Sequence, residues 1–143
     1  MDTSMRIFLN NTDTIPELPS GHTTAYKLAG HSPEYDDSSK LRVSPDHLHG
    51  CRIVRRWTAA DTDVAAVRDL LVNIKTYGSF GHGAMCYYPG FAFTFGQGAA
   101  VVDVLVCLQC HWVVFHLGEK SVQVAPTAVG LTHLEKIYQT LIE

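Results

Sequence analysis

Three of the chain's four cysteines fall in one stretch, Cys86 to Trp112, "CYYPGFAFTFGQGAAVVDVLVCLQCHW". Cys107 and Cys110 make a C-x-x-C. Three thiolates and one imidazole are the donor set of a Cys3His zinc site. Cys86, Cys107 and Cys110 supply the sulfurs, and His82, His111 and His116 are candidates for the fourth ligand, with His82 preferred. The context speaks against the spacing. A zinc signature sets its C-x-x-C on a tight turn, whereas Leu108 and Gln109 lie inside an apolar run that reads as a strand. Residues three apart on a strand point to opposite faces, so one ion could take both sulfurs only across a bulge.

The same sulfurs admit other chemistry. A thioredoxin-type pair wants its first cysteine at a helix start, and no helix start follows Cys107. A disulfide from Cys86 to Cys107 or Cys110 fits if their strands are neighbours, but a reducing compartment opposes it. Cys86, after the loop "GSFGHG", and His82, within that loop and four residues before Cys86, are the best nucleophile and base pair. Buried, inert thiols are the reading we favour, because free cysteine is among the most buried residue types.

Elsewhere the signals are weaker. "HLHG" offers His47 and His49 as a metal pair or as solvated loop histidines. "GSFGHG" and "GQG" lack the strand, spacing and helix of a phosphate-binding loop and read as turns. Arg52, Arg55 and Arg56 are the one basic cluster, read as the wet side of a strand. Asp36, Asp37, Asp61 and Asp63 are acidic residues able to meet a basic partner.

These residues need elements to position them. Residues 1–49 hold four of the six prolines and the polar run "YDDSSK", and are expected to be loop-rich, with short strands at Met5–Leu9 and Thr24–Leu28. Residues 50–143 carry the α+β core of what is a single domain. "CRIVRRW" reads as a strand. Val64, Val67, Leu70, Leu71 and Ile74 repeat at helical spacing after Thr58 or Asp61 as cap, with Gly78 as the stop. "AMCYY" and Phe91–Phe95 read as strands, and residues 101–117 as one long strand or two collinear ones, covered on both sides. "SVQV" is a last strand. Thr132 and Glu135 have the spacing of a capping box opening a terminal helix with Leu134, Ile137, Tyr138 and Leu141 inward. The expected fold is α+β: a small antiparallel sheet of about five strands with two helices packed on it and a loop-rich N-terminal segment.

Composition bounds the function. The 143 residues are 46% hydrophobic and 17% charged, as one globular domain requires, and the net charge is -3. An acidic chain lacks the bulk charge for non-specific nucleic-acid binding, so no nucleic-acid partner is expected. The longest apolar run carries Asp103, Gln109, His111 and His116, so no membrane span is expected. Without a recognisable leader the expected location is cytoplasmic.

From His49 onward the order "HGCRIV", an amphipathic helix, "GAMCYYPGFAF", "VDVLVCLQC" and a terminal L-x-x-I-x-x-x-L helix resembles a diffuse group of small bacterial proteins of unknown function. Cys86–Pro89 matches the group's C-x-x-P, and Asp103–Cys110 its aliphatic strand ending in C-x-x-C. Where members carry Arg-His-Gly after the proline, this chain has Gly90-Phe91-Ala92. The resemblance implies a fold and no activity. The residues alone support a non-enzymatic binding protein with a protein partner, in concrete form an immunity protein neutralising a basic bacterial toxin. The alternative is a zinc-stabilised or thiol-dependent protein built on Cys86, Cys107 and Cys110.

Overall fold

The computed structural model describes residues 15–30, 33, 42–80 and 88–143. Among the described residues it is an α+β fold with two helices and one antiparallel sheet, as expected, but the sheet has eight strands rather than about five. The strands are β1 (Thr23–Leu28), β2 (His47–Leu48), β3 (Cys51–Thr58), β4 (Tyr77–Phe80), β5 (Phe91–Phe95), β6 (Val102–Cys107), β7 (Trp112–Leu117) and β8 (Lys120–Pro126). Their order across the sheet is β2-β3-β1-β5-β6-β7-β8-β4. The helices are α1 (Asp61–Val72) and α2 (Ala128–Ile137), the latter prolonged by a π-helical turn, Tyr138–Ile142.

The main difference from expectation is the apolar run after Val101. It is neither one strand nor two collinear ones. It is a hairpin, with Cys107 opposite Trp112 and Leu108–His111 as its turn. His111 takes a left-handed conformation, φ 61°, at the end of that turn. Alternation could not reveal the reversal, because both arms are buried on both faces. Every residue of β5 and β6 is buried, the expected covering of central strands. β1 lies in the segment read as loop-rich, yet it sits at the centre of the sheet between β3 and β5.

Helix α1 shows the expected inward face, with Val67 and Leu71 buried and Val64 and Leu70 packed against the core. Its cap is Ala60, which makes no side-chain bond, and Asp61 and Asp63 fill the first turn instead. There their charge meets the positive end of the helix dipole. The helix stops at Val72, before Gly78. A 3-10 turn, Ile74–Thr76, leads straight into β4, so Gly78 is a strand residue. Helix α2 starts earlier than the capping-box spacing suggested. Its cap is Thr127, whose Oγ1 accepts the Gly130 N–H at 3.0 Å. Thr132 lies inside the helix and donates to the Ala128 carbonyl.

Both helices cover one face of the sheet. Beneath them lie Phe91, Phe93, Phe95, Val104 and Phe115, all essentially inaccessible, and α2 adds Leu134 from above. The contact is tightest at Gly130, where a Cβ would run into the Thr76 carbonyl oxygen. Residues 42–50 lie on the other face. They close a smaller cluster in which Leu48 and Cys51 meet Tyr26, Leu28, Ala92 and Leu105. Of the other segments expected to be regular, Met5–Leu9 and most of "AMCYY" lie outside the described residues.

Candidate functional site

The face opposite the helices carries a row of polar side chains. Strand register sets Thr24 opposite Thr94, Thr94 opposite Asp103, Asp103 opposite His116 and His116 opposite Ser121. Successive residues alternate faces, and Thr94, Asp103 and His116 each stand between two apolar residues that face the other way. Asp103 is the centre of the row and is 1% exposed. A carboxylate buried this deeply is strongly disfavoured unless it is paired and hydrogen-bonded.

It is both. Arg42 Nη1 donates to Oδ1 at 2.6 Å and to Oδ2 at 2.8 Å. Thr94 Oγ1 donates to Oδ1 at 2.6 Å. His49 Nε2 lies 2.7 Å from Oδ2, and since a carboxylate only accepts, that nitrogen carries the proton. Tyr26 Oη is 3.2 Å from Thr94 Oγ1. The single Thr94 proton goes to the carboxylate, so the tyrosine is the donor in that bond. Burial pushes the Asp103 carboxyl up. The bonds from His49, Thr94 and Arg42, with the Arg42 charge, overcome it and hold the carboxyl below its ordinary value.

The β2–β3 hairpin presents His49. Two residues, His49 and Gly50, join the strands, both left-handed at φ 48° and 81°. That is the backbone of a type I′ turn, which Asn-Gly serves best. Histidine is one of the few non-glycine residues that take this conformation readily, and its bond to Asp103 is a second reason for it here. The His49 ring stacks on His116, with centroids 3.8 Å apart and planes 14° apart. Burial, and then the neighbouring His49, push His116 down to about 4 against the opposing pull of Asp103. His116 is thus neutral at physiological pH, and its Nε2 is buried with no hydrogen-bond partner among the described residues.

The cysteine hairpin is the second feature. Cys51 and Cys107 are free and buried, and Cys110 is disulfide-bonded. Burial, and then Cys107, raise the Cys51 thiol to about 12. Because Leu108–His111 is a turn, the sequence objection to a shared sulfur site at Cys107 and Cys110 does not hold. Cys107 Sγ accepts the N–H of Cys110 at 3.3 Å and that of Tyr88 at 3.4 Å. Cys86 and His82 lie outside the described residues. Among the described residues no group of three or more His, Cys, Asp and Glu side chains is placed to hold a metal ion.

The acidic candidates separate. Asp36 and Asp37 lie outside the described residues. Asp61 and Asp63 share the first turn of α1. Asp63 and Lys136 stand at a cavity of about 350 Å³ between α1 and α2, walled by Val67, Leu70, Ile137 and Leu141.

Sequence reasoning missed the Asp103 cluster. The available signal was one acid inside a run of aliphatic residues. Such a residue is almost never fully buried unless paired, yet nothing in the spacing named Arg42, His49 or Thr94 as its partners. No described helix is long and apolar enough to cross a membrane. A scan against protein-family models, a search of curated proteins and a search of solved structures each found no match.

Proposed function

We propose that this chain is a non-enzymatic protein-binding domain, in concrete form an immunity protein that neutralises a bacterial toxin. The observation that carries the reading is the apolar cavity between α1 and α2, with Asp63 at its rim. Its volume sits at the low end of the roughly 300–1,000 Å³ of small-molecule sites, the right size for one large side chain of a partner. Interfaces concentrate their energy in such anchors, with charges around them setting orientation and encounter rate. Asp61 and Asp63 form no ion pair among the described residues, and they supply the charge for a basic partner.

The test is to express the products of the neighbouring genes, identify one that is toxic, and co-express this chain with it. Growth should be restored by the wild-type chain and lost with the pair Ala66→Trp and Asp63→Lys. Ala66 lines the cavity and is exposed, so the bulky residue fills the opening without entering the core. Full protection by that variant, or a neighbouring gene product without toxicity, would sink the reading.

A second reading, a zinc-stabilised or thiol-dependent protein, is favoured by one specific observation. Cys107 and Cys110 share a tight turn, and Cys107 Sγ receives two backbone N–H groups. Disulfide and metal thiolate are alternative states of such sulfurs, chosen by redox poise and metal supply. Protein purified without chelator would carry one zinc per chain, with its clustered thiols protected until the metal is stripped. Metal-free protein whose reduced form takes up no added zinc would exclude a zinc site.

A further inference from the structure

Asp103 leaves two outward-facing groups unspent. His49 gives Nε2 to the carboxylate, its side chain is 18% exposed, and Nδ1 is not among the buried unpartnered atoms. In the neutral ring that second nitrogen accepts a hydrogen bond. Arg42 gives Nη1 to the carboxylate and is 38% exposed, and its remaining nitrogens make no hydrogen bond among the described residues. Both groups touch the same Asp103 oxygen, at 2.7 and 2.8 Å, so they stand side by side. An acceptor and a cationic donor are thus held together on a rigid base.

One further cation stands on the same face: Arg56 lies opposite Tyr26 in the sheet, and the Tyr26 hydroxyl meets Thr94. Among the described residues Arg56 hydrogen-bonds to the Ser44 and Pro45 carbonyls and lies over the Tyr26 ring, with no carboxylate partner. The Asp103 charge is balanced by Arg42, whose Nη1 reaches both carboxylate oxygens, so the excess positive charge on this face is that of Arg56.

We propose that Arg42 and His49 form a binding site for a phosphate group. A phosphate with its second ionisation near pH 6 carries ionised oxygens and, close to that pH, a P–OH as well. The ionised oxygen accepts from the Arg42 guanidinium, and the P–OH donates to His49 Nδ1. Sulfate has the same tetrahedral shape but is a dianion with no proton to give at that pH. The site lies on the face opposite the α1–α2 cavity and is independent of the protein-binding reading.

The experiment is an amide and imidazole NMR titration of the full chain at pH 6.5 and constant ionic strength, with inorganic phosphate, sulfate and phenyl phosphate. Phosphate should shift Arg42, His49 and Gly50 and bind about tenfold more tightly than sulfate, the weight of one hydrogen bond. Phenyl phosphate binding at least as tightly as phosphate would identify a phosphomonoester ligand, and weaker binding would identify free phosphate. Arg42→Lys keeps a positive charge on Asp103 but loses the outward edge. His49→Asn keeps a residue suited to the turn but loses the ring. Each should weaken phosphate binding about tenfold, and a thermal melt shows that each is folded. Equal binding of sulfate and phosphate, shifts centred elsewhere, or undiminished binding by folded Arg42→Lys would overturn the proposal.

Discussion

Asp103→Asn tests the central cluster directly. The substitution keeps shape and burial, removes the charge, and leaves an amide that can accept from Arg42, His49 and Thr94 only in part. A buried ion pair that loses one partner ordinarily costs about 3–5 kcal/mol. Two features reduce this here. Arg42 is 38% exposed, so its freed charge is rehydrated, and the variant no longer buries a carboxylate. Hydrogen bonds to a charged group are each worth about 1.5–3 kcal/mol, and the amide replaces them only incompletely. A loss of about 2–3 kcal/mol follows, or a fall of about 6–12 °C in melting temperature for a chain this size.

The pH dependence carries a sign. Asp103 has its folded pKa depressed, so its stabilisation is complete above the unfolded carboxyl value of about 3.9. It is lost as pH falls through the folded value. Urea melts of both proteins should therefore differ most at pH 7 and converge below about pH 4. A variant within about 0.5 kcal/mol of wild type at pH 7 would refute the reasoning, since the carboxylate would then not be ionised and bonded as described.

Three further outcomes are expected. His116 titrates at about 4 when folded and near about 6.5 when unfolded, so the unfolded chain takes up its proton first as pH falls. Up to roughly 3 kcal/mol of stability should drain away from pH 6.5 down to pH 4, and urea melts of His116→Gln should show a shallower slope. Cys51, with its thiol raised to about 12, should resist a disulfide-exchange reagent at pH 8 in the native protein and react once it is unfolded. Rapid native labelling at Cys51 would contradict its burial. Gly130→Ala forces a methyl against the Thr76 carbonyl and should cost about 1–3 kcal/mol by chemical denaturation, whereas an unchanged midpoint would mean that α2 does not dock as closely as described.

Local pattern made several elements legible. The inward face of α1 could be read from Val64, Val67, Leu70 and Leu71, and an α+β class from strands lying between two helices. Boundaries were less legible. Thr132 and Glu135 have the spacing of a capping box, but the cap is Thr127, since Thr76 and Gly130 meet there and set where the helix can begin. The reversal at Leu108–His111 left no mark in a run that is apolar on both faces.

The sequence by itself determined the size, the class, the sign of the net charge and the fact that a lone acid sits among aliphatic residues. Those are properties of composition and short-range periodicity. Tertiary structure alone decided that Asp103 meets Arg42 sixty-one residues away and His49 fifty-four residues away, that Cys107 and Cys110 share a turn, and that two helices leave a cavity between them. These depend on strand order and register, where a shift of one residue turns every side chain to the other face. No spacing within the chain encodes that choice.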